Sequence, residues 1–209
     1  MPKLRVHSLT VTLDGFAAGV DQSLDAPLGT NVDGLHEWAF AAWRDLAEGK
    51  GGIDAEWIAR GDENIGAHIM GRNMFGPVRG PWQDESWTGW WGENPPYHHD
   101  VFVHTHHLRP SVSMEGGTVF HFTDEPVETV LRRAFEAAGG QDVRIGGGPA
   151  TIQQYLRAGL VDEIHVAVVP ILAGRGERLF DNLGDALDDF RVAEVVSSPA
   201  VTHSLLVRR

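Results

Sequence analysis

The chain has 209 residues, 42% hydrophobic and 22% charged, the proportions of a folding globular domain rather than a disordered or fibrous one. A formal net charge of −12 opposes non-specific attraction to nucleic acid or to an anionic membrane, so any phosphate it binds must be met by a local site. The absence of cysteine excludes disulfides, thiolate nucleophiles, thiolate zinc sites and cysteine-held iron–sulfur clusters.

Residues 3–13 alternate with period two, carry β-branched residues and meet Asp14-Gly15, which predicts a strand with a defined end. Leu35, Trp38, Ala42 and Leu46 recur near helical spacing, predicting a helix over 34–46 with Asp33 as its N-cap. A second short helix is expected over 54–63, then a buried strand, Ala67 to Met70, ending at Gly71. Residues 76–100 hold Gly76, Pro77, Gly80, Pro81, Gly89, Gly92, Pro95 and Pro96 together with Trp82, Trp87, Trp90 and Trp91. So many breakers forbid regular structure, and so many tryptophans forbid a solvated linker; a substrate lid or a contact with a second copy would cover them.

Strands are expected over 100–104 and 118–122, and a helix over 126–138 with Val127, Val130, Leu131 and Ala134 inward. Val143 to Ile145, a glycine turn, a helix over 149–158 and the apolar run 163–169 read as strand, helix, parallel strand. The tail, 190–196 and 201–207, reads as a closing hairpin. The sum is one α/β domain over 1–209, a mostly parallel sheet flanked by helices, with the tryptophan-rich stretch as an insertion. No stretch reaches about 18 consecutive apolar residues, and a cytoplasmic setting is expected.

Ligands of such sheets sit at the carboxyl ends of strands, so Gly71-Arg72, the residues after Val103 and Gly146 to Gly148 should converge. Gly146-Gly147-Gly148 follows a strand and opens a helix at Pro149; it suits either a phosphate at the helix start or a tight structural turn. It is not the G-x-G-x-x-G pattern of an ordinary dinucleotide site. Arg72 is either a fork for a phosphate or a surface arginine paired with an acid. His104 and His106 project to one side of an extended segment, but Pro110 and Ser111 stand where a cupin-type metal site wants a glutamate, and no metal is expected. No G-x-S-x-G elbow occurs.

The ordered motifs Thr12 to Gly19, Met70-Gly71-Arg72, Ile145 to Gly148, Gly159 to Ile164 and Pro170 to Phe180 resemble the dihydrofolate-reductase-like superfamily. Within it they resemble the reductase domain of bifunctional riboflavin-biosynthesis proteins, from about residue 3 to 208. The resemblance implies NADPH lying across the sheet. Gly146, Gly147 and Gly148, joined by a cis peptide, would hold its pyrophosphate with Pro149, Ala150 and Thr151. Gly71, Arg72 and Asn73 match the segment that meets the phosphates; Thr105, His106 and His107 match the one around the adenosine ribose and 2′-phosphate. Ala17 and Ala18 match the backbone that fixes the nicotinamide. Met74 stands where folate reductases carry a hydroxyl residue. Asp33 lies near the carboxylate that assists proton delivery there, with His36 as a second acid, while Asp14 is read as ordering its turn. The implied activity is hydride transfer to a small heterocyclic or sugar-derived substrate, as in 5-amino-6-(5-phosphoribosylamino)uracil reductases. Folate reduction and a non-catalytic nucleotide-binding module are the rivals, and a homodimer is expected.

Overall fold

The structure, a computed structural model, describes residues 1–76 and 78–209. Pro77, one of the breakers in the tryptophan-rich segment, lies outside the described residues. In chain order the elements are β1 (Leu4–Thr12), β2 (Phe16–Ala18), α1 (Glu37–Ala47), α2 (Ile53–Asp62), β3 (Ile65–Gly71), α3 (Arg72–Phe75), β4 (Asp100–His104) and β5 (Val112–Ser113). They continue with β6 (Val119–Thr123), α4 (Val127–Ala137), β7 (Asp142–Gly147), α5 (Pro149–Arg157), β8 (Glu163–Val169), β9 (Glu177–Arg178), β10 (Phe190–Ser197) and β11 (Thr202–Arg208).

Among the described residues the main sheet runs β10-β11-β8-β1-β7-β3-β4-β6-β5, and β2 pairs with β9 apart from it. The six strands from β8 to β6 are parallel to their neighbours, while β11 and β10 at one edge and β5 at the other run antiparallel. β7, α5 and β8 form the strand, helix, parallel strand unit expected from the apolar run 163–169, with β1 inserted between the two strands. The small strands β2, β5 and β9 were not foreseen, being two or three residues long.

One face of the sheet is covered by α4 and α5: Val130, Leu131, Ala134, Ile152 and Leu156 pack on Val6, Ile69, Val143 and Ile145. The other face is covered in two parts. Trp38, Ala39 and Ala42 of α1 and Ile58 of α2 pack on Ala167 and Val169, whereas Trp82, Trp87, Trp91 and Tyr97 pack on Met70, Phe75, Val101 and Phe120. Trp82, Trp87 and Trp91 are thus partly covered by the sheet itself, irregular chain serving here as the layer that a helix supplies elsewhere, while Trp90 packs edge-on against Trp87 and all four remain partly exposed.

Between the two parts runs a buried polar strip. In β1 the register slips between Val6, opposite Ile164, and Leu9, opposite Val166, so His7 and Ser8 both stand against the single residue His165. Ser8 has φ +54°, and its amide donates to Nδ1 of His165 at 3.0 Å. With Nδ1 accepting, Nε2 of His165 is the donor to Nδ1 of His203 at 3.0 Å, and Nε2 of His203 then donates to Oδ1 of Asp54 at 2.9 Å. Trp57 stacks on both His165 and His203. Among the described residues no helix is long and apolar enough to cross a membrane.

Candidate active site

The carboxyl ends of β3 and β7 meet the start of α5. A Cβ built on Gly71 falls 2.3 Å from Oγ1 of Thr151 and 3.4 Å from the backbone nitrogen of Gly148. Strand end, glycine turn and helix start therefore touch, and only glycine fits between them. The Gly147–Gly148 peptide is cis, and Gly147 sits at φ +137°, a region that side chains rarely enter. Gly148 is different: nothing lies within 4 Å of its Cβ position. The turn thus faces open space at the amino end of the nine-residue α5, where Pro149 opens the helix and Ala150 is exposed. The helix dipole favours an anion there. Met74 lies over the same turn, its sulfur 2.9 Å from a Cβ built on Gly146.

Arg72 opens α3. Its Nη1 donates to the Gly76 carbonyl at 2.8 Å, and its guanidinium lies 3.5 Å from the ring centre of Trp82. Burial, aided by the neighbouring charge of Arg109, lowers Arg72 to about 10, so it remains a cation at neutral pH. Asn73, with its amide oriented to satisfy both partners, accepts from Nη2 and Nε of Arg79 at 3.0 and 3.1 Å. Arg79 in turn pairs with Glu177 of β9.

After β4, the Thr105 hydroxyl accepts from the His107 amide at 3.0 Å, His106 is exposed, and the His107 carbonyl accepts the Trp82 indole N–H at 2.6 Å. His104 shares a 2.6 Å hydrogen bond with the buried Tyr155 hydroxyl of α5. Burial, with His106 nearby, brings His104 down to about 4. The run 104–107 is therefore tied to α5 on one side and to Trp82 on the other. His104 is engaged with Tyr155, and among the described residues no group of histidine and carboxylate side chains is placed to hold a metal.

On the β1 side, Ala17 and Ala18 are buried in β2. Asp14 accepts from the Thr12 hydroxyl at 2.6 Å and from the amides of Ala173 and Gly174 at 3.1 and 2.7 Å. These bonds, the Thr12 one foremost, hold its carboxyl at about 2. Asp14 fastens the turn after β1 to the segment before β9, the ordering role read from the sequence.

Asp33 is exposed, and it is not the cap expected of it: α1 starts at Glu37, with His36 at the N-cap position and no side-chain cap bond. Gly34, at φ +85°, turns the chain before the helix begins. His36 is half-buried, and burial lowers it to about 4. The structure thus brings together Gly71, Arg72, Gly146 to Gly148, Thr151 and the 104–107 run. Among the described residues no hydrogen bond joins the Asp33 or His36 side chains to that group. Sequence reasoning missed Trp82 at this rim. The tryptophan density of its segment was visible, but where it packs was not.

The chain is similar to known proteins in its fold. A candidate riboflavin biosynthesis protein from Shewanella sp. PV-4 superposes with a TM-score of 0.64 at 22% identity, over 100% of this chain and 99% of the other. Dihydrofolate reductase from Enterococcus faecalis, complexed with NADP(H), gives 0.55 at 14% identity over 99% and 96%. The Thermotoga maritima diaminohydroxyphosphoribosylaminopyrimidine deaminase/5-amino-6-(5-phosphoribosylamino)uracil reductase gives 0.54 at 14% identity, this chain spanning 57% of it. These likenesses establish the dihydrofolate-reductase-like fold. No curated protein matches the sequence. The RibD C-terminal domain model matches residues 2–200, and the chain belongs to that family.

Proposed function

We propose that the protein is an NADPH-dependent reductase acting on a small heterocyclic or sugar-derived carbonyl or imine, in the manner named for the Thermotoga maritima enzyme. Membership of the RibD C-terminal domain family supports an oxidoreductase. The observation that carries the cofactor is the cradle at α5: Gly71 is sealed against Thr151, whereas Gly148 opens on free space at the helix start, with the cation Arg72 next in the chain after Gly71. That shape and charge fit a pyrophosphate. NADPH, when bound, supplies a hydride from carbon 4 of its nicotinamide.

The chain's own residues bind, orient and exclude water. Gly146, Gly147, Gly148, Pro149, Ala150 and Thr151 form the pyrophosphate cradle; Gly71, Arg72 and Asn73 form the segment that meets the phosphates; Thr105, His106 and His107 form the adenosine end; Ala17 and Ala18 present backbone to the nicotinamide. Asp33, ionisable and exposed, delivers the proton directly or through water. His36 is neutral at pH 7, so its part narrows to that of an uncharged hydrogen-bonding group. The protein acts as one domain and assembles as a homodimer. The dimer reading draws on the partly exposed tryptophans and on β10, among the described residues an unpaired sheet edge whose Val192 and Val195 are 60% and 59% exposed.

Calorimetric titration with NADPH and NADH tests the reading, NADPH binding the more tightly. A full charge-assisted contact to the 2′-phosphate, about 1.5–3 kcal/mol, is the ceiling on the difference. Gly148→Ala, which meets no atom of the protein, should leave stability unchanged and lower affinity for both cofactors about tenfold or more. Equal affinities would reject the 2′-phosphate contact, and a Gly148→Ala protein that binds as the wild type does would reject the cradle.

A further inference from the structure

The tryptophan-rich segment does more than cover the sheet, because one of its side chains stands between the stretch assigned to the cofactor's phosphates and the stretch assigned to its adenosine. The Trp82 indole stacks on Arg72 and donates its N–H to the His107 carbonyl at 2.6 Å. Phe75 and Phe122 meet the ring edge-on, with centres at 5.9 and 5.4 Å, and the Arg109 guanidinium lies 4.3 Å from its centre. Adenine is also a flat bicycle that stacks on guanidinium and donates N–H to carbonyl oxygen. The indole makes the bonds that an adenine in this slot would make.

The cations carry the argument further. Among the described residues neither Arg72 nor Arg109 takes part in an ion pair. Arg109 has both its Nη atoms on the carbonyls of Glu85 and Trp87. Arg72 has Nη1 on the Gly76 carbonyl, and its Nε is buried with no partner. A phosphate is gripped best by a guanidinium edge with two N–H groups pointing the same way. On Arg72 the edge formed by Nε and Nη2 is closed at Nε by burial, and on the edge formed by Nη1 and Nη2 the first nitrogen is held by the Gly76 carbonyl, so a forked grip competes with contacts the arginine already makes.

We propose that Trp82 is a specificity-determining residue that fills the adenosine slot and competes with the cofactor's adenine and 2′-phosphate for Arg72 and the His107 carbonyl. The inference rests on the cofactor reading above, and it assigns Trp82 a cost in affinity that falls on the adenosine half alone. A site whose open form is a minor population binds more weakly by that fraction, and removing the competitor restores the affinity.

The test uses the full chain as wild type, Trp82→Ala and Trp82→Phe, with three probes: 2′,5′-ADP, reduced nicotinamide mononucleotide and NADPH. Trp82→Ala should bind 2′,5′-ADP about tenfold or more tightly than wild type, with the mononucleotide unchanged and the preference for NADPH over NADH enlarged. Trp82→Phe keeps the packing on Phe75 and Phe122, loses the N–H, and should fall between the two. In wild type, labelled at its indole nitrogens, the signal missing from Trp82→Phe should move when 2′,5′-ADP is added, a readout that needs no unfolding-prone variant. Unchanged or weaker 2′,5′-ADP binding by Trp82→Ala in proteins that bind NADPH would overturn the role of Trp82 alone, as would a stationary indole signal under saturating 2′,5′-ADP. Failure of every protein to bind NADPH and the mononucleotide would overturn the cofactor reading and this inference with it.

Discussion

The buried histidines make the fold sensitive to acid in a window where carboxylates are still silent. Burial lowers His7 far below its ordinary value of 6.5, with His165 adding to the effect; burial lowers His165 to about 2, with His203 adding; burial lowers His68 well below 6.5, with Arg144 adding. All three stay neutral in the folded protein at pH 5.5. In the unfolded chain each returns to about 6.5 and takes up a proton as the pH falls, so the unfolded state binds more protons and is favoured. The sign is therefore a stability complete above pH 6.5 and declining below it. At pH 5.5 each residue contributes a loss of about 1.4 kcal/mol, RT ln(1 + 10). The three together give about 4 kcal/mol, a large share of the roughly 5–15 kcal/mol that holds a domain folded, and His36 and His104, which burial lowers to about 4, add to the loss in the same direction. Urea unfolding followed by tryptophan fluorescence at pH 7.5 and 5.5 measures it, and His165→Gln should shrink the difference by about 1.4 kcal/mol. A wild-type loss below about 1 kcal/mol between the two pH values would refute the reasoning, since it would mean that the histidines take up protons without unfolding.

Three further outcomes are expected. Gly71→Ala drives a methyl into Thr151 Oγ1 and should cost about 1–3 kcal/mol in thermal or urea unfolding, with partial recovery in Gly71→Ala/Thr151→Ala. Asp14→Asn removes the charge that gathers the Ala173 and Gly174 amides, so trypsin should cut after the exposed Arg175 several-fold faster; in wild type the same loosening should appear only as pH falls below about 4, toward the depressed carboxyl value. Asp33→Asn should leave stability and NADPH affinity unchanged and slow single-turnover hydride transfer about 10²-fold; superimposable pH profiles would remove Asp33 from the proton path.

The parallel core was legible because its strands announce themselves: 163–169 is apolar without alternation, and the run through Gly146 to Pro149 carries a turn and a helix start in four residues. Helix α1 was placed three residues early because Leu35 falls in phase with Trp38 and Ala42. It is buried, at 1% exposure, from the turn before the helix. The histidine chain was invisible because His7 and His165 lie 158 residues apart and meet only through the sheet order. The slip that joins them is present in the sequence, where Leu4 and Val6 are followed by Leu9 and Val11 rather than by 8 and 10. Trp82 shows the other limit: an aromatic residue in irregular chain proclaims burial, yet no period tells which surface receives it.

The same slip decides how the sheet divides. β1 pairs with β7 through Leu4, Arg5 and Val6, opposite Val143, Arg144 and Ile145, and past that point it follows β8 alone as far as Thr12. Among the described residues the ladder thus joins two half-sheets, β10-β11-β8-β1 and β7-β3-β4-β6-β5, only along a short seam at their amino ends. Beyond Val6, among the described residues, what joins β1 to β7 is side chain rather than ladder: Arg144 Nη2 donates to the His7 carbonyl at 3.2 Å, and Leu9, Val11 and Ala17 share one buried cluster with Ile145. The cohesion of the two half-sheets on the side of the glycine turn is therefore a matter of packing and of one arginine, and it can be tuned by substitution without touching a single backbone pair.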